Sequence, residues 1–465
     1  MLFVNSRRKM KKSVNIEKTR NWEYLKLAFG FTLSTLTVPL LNSVDTAVVG
    51  NLSNPVFIGG VTLGGTIFNT IYWLFGFLRV STSGYSAKAF GESNRREEIT
   101  VLVRPVLISV LLGIFFVLFQ KPILWGFIHF FDAGREITEY IAVYFNILIW
   151  GAPFVLLNYT FLGWIMGRKE IKKCLVLQLM TNFVNIALDI YFVKVLKMDV
   201  AGVAVATLIS QITTTLLSVF IILKTFSLKD ILHNINLKEI FDKAEVKKVG
   251  AVNLDLVLRT VCLLVTTNLF LEKAAHNGKI ILAANSILFQ VQYLMSYIFD
   301  GFANASSVFS GIAVGEKDFR KLKWVMRKSI HFCIIISAFL STAFILGGKK
   351  LLLFYTKNTE VINTANQYKM WIAAFPIVIS FGLVIYGNFT GATETAYIRN
   401  SMLQSLVIFL IVYFTVIPAY QNHGLWLSFI VFSFARSLFL MRYVKKFLEK
   451  YKLELNVKTS INSGI

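Results

Sequence analysis

The sequence predicts an all-α integral membrane protein, with twelve transmembrane helices in two pseudo-symmetric six-helix bundles. Three observations lead to this fold class. Hydrophobic residues make up 55% of the 465 positions, and the mean hydropathy is +0.63. They fall into runs of roughly 20 residues, long enough to cross the ~30 Å hydrocarbon layer of a bilayer as helices. The pattern of the first half also returns in the second.

Twelve apolar runs follow one another along the chain, with most charged residues between them. The second and eighth runs are longer than a bilayer requires, so part of each must tilt or protrude. The predicted spans are 24–50, 56–87, 101–120, 140–166, 171–196, 202–224, 249–271, 280–314, 328–347, 366–390, 400–420 and 423–441.

The basic residues indicate the orientation of the chain. Most of the 48 lysine and arginine residues lie in the two tails and in the loops after even-numbered spans. Because such residues concentrate on the cytoplasmic side, both termini are predicted to be cytoplasmic. The predicted organisation is an N-tail (1–23), an N-lobe (24–224), a cytoplasmic linker (225–248), a C-lobe (249–441) and a C-tail (442–465). This topology accounts for the net charge of +23 without a nucleic-acid partner.

An internal repeat relates the two halves at an offset of 224 positions. Residues 89–92 in span 2 match residues 313–316 in span 8, and Gly163 in span 4 matches Gly387 in span 10. Six spans per half make the repeats parallel, related by an axis along the membrane normal. Two similar bundles with a cleft between them suit a transporter that works by alternating access.

Two carboxylates in the N-lobe are the first candidates for a functional site. Asp45 in span 1 and Asp189 in span 5 both precede the outer face by a similar number of residues, and Thr207 lies at a matching depth in span 6. At ~1.5 Å per residue all three lie roughly 9–10 Å below the outer surface. Asn185 is one turn from Asp189 on the same helix face. These four residues are predicted to form one cluster.

Three interpretations of this cluster remain open. Desolvation and mutual repulsion favour a protonated carboxylate, which an arriving cationic drug would deprotonate. Alternatively, the carboxylate, amide and hydroxyl oxygens of Asp45, Asn185, Asp189 and Thr207 suit a sodium ion. In the third interpretation, the two aspartates only cap or brace helices. A carboxylate inside a membrane span is costly, which favours the functional interpretations.

Other polar residues in the spans have structural interpretations. Asp255 and Arg259 in span 7 are one turn apart and are predicted to form an ion pair. Asp300 in span 8 either pairs with Arg259 or lines the cleft, and Arg79 lies at a similar depth. Pro39 removes a backbone hydrogen bond before Asp45, so span 1 is expected to bend there.

Cysteine and histidine usage predicts neither a disulfide framework nor a metal or catalytic centre. Cys174, Cys262 and Cys333 are far apart in the sequence, and the five histidines are scattered. No nucleophile and base occur together at one depth of the spans. The sequence therefore predicts a protein that is not an enzyme and has no cofactor. It also has no cleavable signal pattern at its start.

Four stretches resemble the multidrug and toxic compound extrusion (MATE) family, in its bacterial DinF-like branch. They are PLLNSVDTAVVG at 39–50, NIALD at 185–189, NLDLVLRT at 253–260 and DGFA at 300–303. The resemblance covers residues 20–445. It implies a V-shaped pair of six-helix bundles and a secondary exporter of lipophilic, often cationic compounds, driven by a proton or sodium gradient.

The resemblance also implies site residues. The N-lobe site of that branch matches here at Asp45, Asn185, Asp189 and Thr207, with Asn158 in span 4 as a weaker match that lies deeper. The branch usually has a proline early in span 1, where this chain has Gly30. If span 1 bends during transport, Gly30 must therefore permit the bend together with Pro39.

The sequence thus predicts an antiporter that exchanges lipophilic or cationic compounds for protons or sodium ions. We expect a multi-pass protein of the bacterial plasma (inner) membrane that functions as a monomer. A lipid or lipid-linked oligosaccharide flippase of the same architecture is the alternative, with Arg259 and Arg79 as the candidates to hold a pyrophosphate. A membrane-embedded enzyme is a third class, and it lacks a recognisable catalytic constellation.

Overall fold

The structure is a computed structural model that describes residues 19–37, 50, 55–131 and 134–461. Helices account for its regular structure, and no β-strand occurs in these ranges. In chain order the helices are α1 (19–37), α2 (Pro55–Phe75), α3 (Phe77–Glu92), α4 (Arg95–Leu118), α5 (Gln120–Phe131), α6 (Arg135–Leu148), α7 (Ala152–Gly167), α8 (Ile171–Asp189), α9 (Asp199–Thr225), α10 (Leu228–Asn234), α11 (Leu237–Ile240), α12 (Lys243–His276), α13 (Lys279–Gly315), α14 (Phe319–Tyr355), α15 (Thr359–Gly391) and α16 (Ala396–Ile461).

Ten helical segments of the described chain are long and apolar enough to cross a membrane. Nine coincide with predicted spans 2–10, and the tenth, Ala396–Glu454, contains predicted spans 11 and 12. The chain turns between these last two at Gln421, where φ is 46° and ψ is −122°. The first predicted span begins with α1, and residues 38–49 lie outside the described residues. The all-α membrane fold class is confirmed.

The internal repeat is visible in the backbone where helices end. Ser93 and Lys317 follow α3 and α13 in the left-handed conformation, with φ of 52° and 57°. Lys169 and Thr393 follow α7 and α15 in the same conformation, with φ of 62° and 61°. Side chains other than glycine rarely adopt this region, least of all a β-branched residue such as threonine. Both pairs obey the offset of 224 positions, so the two halves turn the chain in the same way.

Glycine contacts between helices repeat in the same way. Gly163 on α7 packs on the main chain of Arg79 on α3, where an added Cβ would clash with the Arg79 carbonyl. Gly387 on α15 packs on the main chain of Ala303 on α13 with the same consequence. Glycine lets two helix backbones approach closely, as is common between membrane helices. These equivalent contacts join the long helices within each half.

Close glycine contacts also join the two halves. Gly91 on α3 packs on the backbone of Ile312 on α13, and Gly315 packs on the backbone of Lys88. A Cβ at either glycine would clash with main-chain atoms of the opposite helix. The helices α3 and α13 therefore lie in near contact at the ends that the sequence predicts to be cytoplasmic.

The first helix is also packed on the second half of the chain. The hydroxyl groups of Tyr24 and Ser306 share a 2.7 Å hydrogen bond, and the Tyr24 ring stacks on Phe332 with 5.4 Å between ring centroids. Tyr24 is fully buried. The predicted N-lobe, which starts at residue 24, therefore begins with a helix that contacts both halves. The predicted lobe boundaries remain a prediction.

Two short helices, α10 and α11, lie within the predicted linker and are held against the start of α4. Arg95 pairs with Asp230 at 2.8 Å, and Arg104 donates hydrogen bonds to the carbonyls of Glu239 (2.8 Å) and Ile240 (3.1 Å). Carbonyls at a helix C-terminus lack intrahelical partners, so a guanidinium group is a suitable cap for α11. The linker is thereby fixed to the first half.

Candidate functional site

A polar stripe runs along one side of α8 in a helix whose other residues are mostly apolar. Its members are spaced three or four residues apart, at Gln178, Asn182, Asn185 and Asp189. Residues at this spacing share one helix face. Their hydrogen bonds show that this face points toward α1 and α9.

Two of the predicted site residues are joined by a hydrogen bond. The Asn185 amide nitrogen donates to the Thr207 hydroxyl at 3.4 Å, and that hydroxyl donates to the Val203 carbonyl at 3.0 Å. Asn185 is only 2% exposed, and Thr207 is half-buried. The structure thus brings Asn185 of span 5 into contact with Thr207 of span 6, while the depth shared by Asp45, Asp189 and Thr207 remains a prediction.

Asp189 lies one turn farther along α8 and is completely buried. It is the last residue of the α-helix, and Ile190–Val195 continue the chain as a π-helix. A π-helical turn changes the direction of the following side chains and is often found at functional sites. The predicted partner carboxylate, Asp45, lies outside the described residues.

Asn158 on α7 forms a separate part of the polar network. Its amide nitrogen donates to the side chain and to the carbonyl of Gln211, at 2.9 and 3.0 Å, and its amide oxygen accepts from Thr215 at 2.9 Å. Gln211 and Thr215 follow Thr207 at one-turn intervals along α9. Asn158 is thus bonded to α9 one and two helical turns beyond Thr207, and its depth in the membrane remains a prediction.

Several residues of this network were not predicted from the sequence. Ser34 on α1 donates a hydrogen bond to the Gln178 side chain, and Asn182 donates to the Thr37 carbonyl at 3.2 Å. The hydroxyls of Thr181 and Thr214 share a 2.6 Å hydrogen bond between α8 and α9. The recurrence of Asn and Gln at helical spacing within an apolar run is the signal that could have found them.

The structure describes only one of the two predicted hinge residues of span 1. Gly30 lies within the continuous helix α1, where an added Cβ would clash with the Ile171 side chain at the start of α8. This contact gives Gly30 a packing role between the two helices. Pro39 lies outside the described residues, so bending at these two positions remains a prediction.

The predicted ion pair between Asp255 and Arg259 is wrong, because Asp255 pairs with Arg399 at 2.7 Å and accepts a 2.8 Å hydrogen bond from Thr395. Although Arg259 is one turn away on α12, its guanidinium lies 4.3 Å from the centroid of the Tyr386 ring. The two side chains leave the helix toward different neighbours. Helical spacing alone does not distinguish these directions.

The buried side chains of the α8–α9 network provide oxygen atoms of three kinds, from a carboxylate, amides and hydroxyls. Such oxygens can hold a proton or coordinate a hard cation such as sodium. In the described part of the chain no three His, Cys, Asp or Glu side chains come together as a metal-binding group.

Comparisons with known proteins agree with this architecture. A profile of the MatE family matches one stretch in each half of the chain, at residues 31–191 and 257–415. The chain is 32% identical over 414 residues to DNA damage-inducible protein F of Escherichia coli, covering 89% of this chain and 90% of that protein. The chain belongs to the MatE family. The resemblance to MATE transporters drawn from the four sequence stretches is confirmed.

Solved structures of MatE-type transporters share the fold. A MOP superfamily transporter from Pyrococcus furiosus superposes with a TM-score of 0.82 at 20% identity, covering 92% of this chain and 96% of that one. A MATE family transporter in an outward-facing conformation gives the same values. The probable multidrug resistance protein YoeA of Bacillus subtilis is 22% identical over 404 residues. This MatE protein is accordingly a multi-pass membrane protein of a family of transporters rather than enzymes.

Proposed function

We propose that the protein is a secondary active exporter that exchanges lipophilic or cationic compounds for protons or sodium ions. The observation that supports this most is the polar network in the first half, where Asn185 bonds to Thr207 and the buried Asp189 follows Asn185 by one turn of α8. Buried polar groups inside a membrane protein are costly and are usually retained for transport or coupling. Asp45, predicted at the same depth, is the second carboxylate of the proposed site.

Proton coupling would follow from the burial of Asp189. A fully buried carboxylate is more stable as the neutral acid, unless a cation arrives to compensate its charge. A cationic compound that enters the cleft would favour the ionised form and release the proton. The two ligands would then compete for one site, which is the requirement for exchange.

Sodium coupling would use the same residues in another way. The carboxylate of Asp189, together with the side-chain oxygens of Asn185 and Thr207, offers hard ligands for a monovalent cation. In this case the ion itself, rather than a proton, would compete with the substrate. Asn158, whose amide is already bonded to Gln211 and Thr215, would support the site from below.

Alternating access would come from movement of the two halves. The near contact of α3 and α13 at Gly91 and Gly315 closes the end predicted to be cytoplasmic. This arrangement supports an outward-facing state. We propose that both termini lie in the cytoplasm of a bacterial cell, as the distribution of basic residues predicts. A bound ion or substrate can shift the protein between states only through different affinities for them. We propose that the protein does this as a monomer.

The names of relatives support the proposed substrate class. YoeA is named a probable multidrug resistance protein, and the outward-facing structure is that of a multidrug resistance transporter. We extend this activity to the present chain because the architecture and the family are shared. The compounds would be lipophilic and cationic, since the proposed site carries carboxylates.

The experiment that tests this proposal is transport in proteoliposomes, with a pH gradient and a sodium gradient imposed separately. Wild type is compared with Asp45→Asn and Asp189→Asn, using a fluorescent lipophilic cation as substrate. Glu139→Gln is the matched control, because the Glu139 side chain is 68% exposed. We expect transport under one gradient, lost in both aspartate variants and kept in the control. Full transport by both aspartate variants would remove the site from the mechanism.

A flippase for lipids or lipid-linked oligosaccharides is a second candidate function. The observation that favours it is the presence of half-buried Arg259 on α12 and Arg79 on α3, since arginine suits the phosphate groups of such lipids. Movement of a fluorescent phospholipid between the leaflets of the same proteoliposomes distinguishes the two functions. Lipid movement without drug movement under either gradient would favour the flippase.

A further inference from the structure

The linker between the two halves carries large apolar side chains that the described chain leaves uncovered. Leu228 and Leu232 on α10 are 61% and 65% exposed. Leu237 at the start of α11 and Phe241 just after that helix are 65% and 63% exposed. Within each pair the residues are four positions apart, so they share one side of their helix. Large apolar side chains exposed in such close succession mark a surface that is covered by something else.

Other residues of the same segment are packed on the protein. Ile240 on α11 is 2% exposed, and Ile231 on α10 is partly buried against the hydrophobic core. Arg95 pairs with Asp230 at 2.8 Å, and Arg104 donates two hydrogen bonds to carbonyls of α11. The orientation of the two short helices is therefore set by α4, and their exposed apolar residues are held facing outward.

The linker lies at the edge of the surface that lipid covers. It connects two membrane-crossing helices, α9, which ends at Thr225, and α12, which begins at Lys243. Apolar side chains are also exposed on the adjoining turns of both helices, where Leu223 is 40% and Val246 is 45% exposed. Lipid tails are as apolar as such side chains, so they can face the bilayer without cost. The apolar residues of α10 and α11 continue this surface beyond the ends of the spans.

Basic side chains accompany the apolar ones. Four lysines of the linker region are exposed and form no ion pair within the described residues, namely Lys229, Lys238, Lys243 and Lys247. Nearby carboxylates are already occupied, because Asp230 pairs with Arg95 and Glu239 pairs with Arg96, both at 2.8 Å. Unpaired lysines beside exposed leucines are typical of a helix that lies along a membrane surface, where anionic headgroups attract them.

We propose that residues 227–242 lie in the membrane interface, with Leu228, Leu232, Leu237 and Phe241 inserted at the boundary between headgroups and acyl chains. Apolar side chains are stabilised when they leave water, and the lysines can keep their ammonium groups at the level of the headgroups. The leaflet is the one that the sequence predicts to be cytoplasmic. A second copy fits this surface less well, because a two-fold contact would bring the unpaired lysines of both copies together.

Such an anchor is independent of the coupling ion and of the transported compound. The linker joins the two halves, and α4 holds it to the first half. A linker embedded in one leaflet would keep the first half at a fixed depth while the second half moves. The lipid bilayer would then act on the protein through the linker as well as through the spans.

The test is spin labelling of the full chain in proteoliposomes of phosphatidylcholine and phosphatidylglycerol. The native cysteines are buried, so Leu232→Cys and Leu237→Cys can be labelled selectively. Collisions with oxygen report contact with acyl chains, and collisions with a water-soluble nickel chelate report contact with water. Leu111→Cys, 68% exposed in the middle of α4, is the lipid-facing standard, and Lys445→Cys, 87% exposed in the predicted C-tail, is the water-facing standard. Lys229→Cys is the control on α10 itself.

The labels at 232 and 237 should have a ratio of oxygen to nickel collisions several times higher than the label at 445, and closer to that at 111. The label at 229 should be more accessible to nickel than the label at 232, because the lysine side of α10 faces the headgroups. Labels at 232 and 237 that match the label at 445 would overturn the proposal. Equal accessibility at 229 and 232 would do the same, since α10 would then have no lipid-facing side.

Two further outcomes decide between occupants of this surface. Few collisions with either reagent would show that protein covers it, which contradicts the proposal, and a dipolar coupling between labels of two copies would then identify a second copy as the occupant. Omitting phosphatidylglycerol should move the labels at 232 and 237 toward water, because the lysines lose their anionic partners. An unchanged position without the anionic lipid would overturn the role given to the lysines.

Discussion

The Asp255 carboxylate on α12 is paired with the Arg399 guanidinium on α16, at 2.7 Å between Oδ1 and Nη1. The Asp255 side chain is 6% exposed and that of Arg399 is 35% exposed. Thr395, one turn before Arg399, donates a 2.8 Å hydrogen bond to the other carboxylate oxygen. The start of the long helix α16 is therefore fastened to α12 through one buried carboxylate, which leaves Arg259 without this partner.

Replacing Asp255 should lower the stability of the protein. We expect Asp255→Asn to reduce the free energy of unfolding by about 1–3 kcal/mol, because a buried charge-assisted hydrogen bond is lost and the guanidinium loses its counter-ion. The measurement is thermal unfolding followed with a thiol-reactive fluorogenic dye. The cysteines at 174, 262 and 333 are all buried, so the dye reports unfolding.

The control for this variant is Glu272→Gln. Glu272 is on the same helix and pairs with His276, but its side chain is 56% exposed, and exposed pairs contribute little. Arg399→Gln should resemble Asp255→Asn, and the double variant should cost less than the sum of the two. Equal unfolding temperatures for Asp255→Asn and Glu272→Gln would contradict the assigned role.

The glycine contacts between α13 and α15 predict a steric effect. A methyl group at position 387 would meet the Ala303 main chain, so Gly387→Ala should destabilise the protein by about 1–3 kcal/mol. The matched variant is Gly347→Ala on α14, where nothing lies within 4 Å of an added Cβ. It should be neutral or stabilise the helix by up to about 1 kcal/mol. Comparable losses at both positions, in the same dye assay, would refute this packing argument.

Asn158 and Asn185 should respond differently to substitution. Asn158 has bonds from both ends of its amide to α9, so Asn158→Ala should lower the unfolding temperature as well as transport. Among the described residues the Asn185 side chain makes a long contact with Thr207 at 3.4 Å, so Asn185→Ala should reduce gradient-driven transport with a smaller loss of stability. The check is to measure both the transport rate and the unfolding temperature of each variant and to compare the two losses. The reverse order would place the coupling function at Asn158.

The predicted linker should respond to acid at Asp230. Its pKa is lowered from the usual range, first by the hydrogen bond from the Ser227 side chain at 2.7 Å and also by Arg95. Because the folded pKa lies below the unfolded one, the stabilisation is present at neutral pH and is lost as the pH falls through the lowered pKa. Short helix α10 should therefore loosen only below about pH 4.

A spin label at position 232 measures this effect. Leu232 is 65% exposed on α10, and the native cysteines are buried, so Leu232→Cys can be labelled selectively. The label should become more mobile at acidic pH in the otherwise native chain. In the Asp230→Asn background it should be mobile at every pH. A label whose mobility changes with pH in the same way in both backgrounds would show that another group is responsible.

Much of the fold follows from the sequence because membrane helices are selected by length and hydropathy. Nine predicted spans coincide with helical segments, and the boundary predicted between 420 and 423 falls at the turn at Gln421. The break of the second span at Gly76 was not predicted. A glycine within an apolar run does not by itself show whether the helix continues, because the surrounding helices decide it.

The candidate site was predicted only in part. Counting residues gives the depth of a side chain along its helix, but not the direction in which it points around the helix axis. Counting residues placed Asp189 and Thr207 at one level with Asn185 one turn away, and in the structure Asn185 is the residue that contacts Thr207. It could not show which way Gln211 or Asn182 points around the helix axis. The partner of Asp255 was missed for a similar reason, since Arg399 lies 144 positions away and is brought near only by the packing of α16 on α12.

The glycine contacts of the two halves have a consequence for how such a protein can vary. Gly163 touches Arg79, and Gly387 touches Ala303, through main-chain atoms alone. The side chains at the equivalent positions 79 and 303 are not the atoms nearest these glycines, and one is a cation while the other is a methyl group. The two halves therefore share the glycine contact but differ in the charge at the position it touches. A substitution at a position such as 79 can consequently change the charge in one half of the chain without altering the glycine contact that joins its helices.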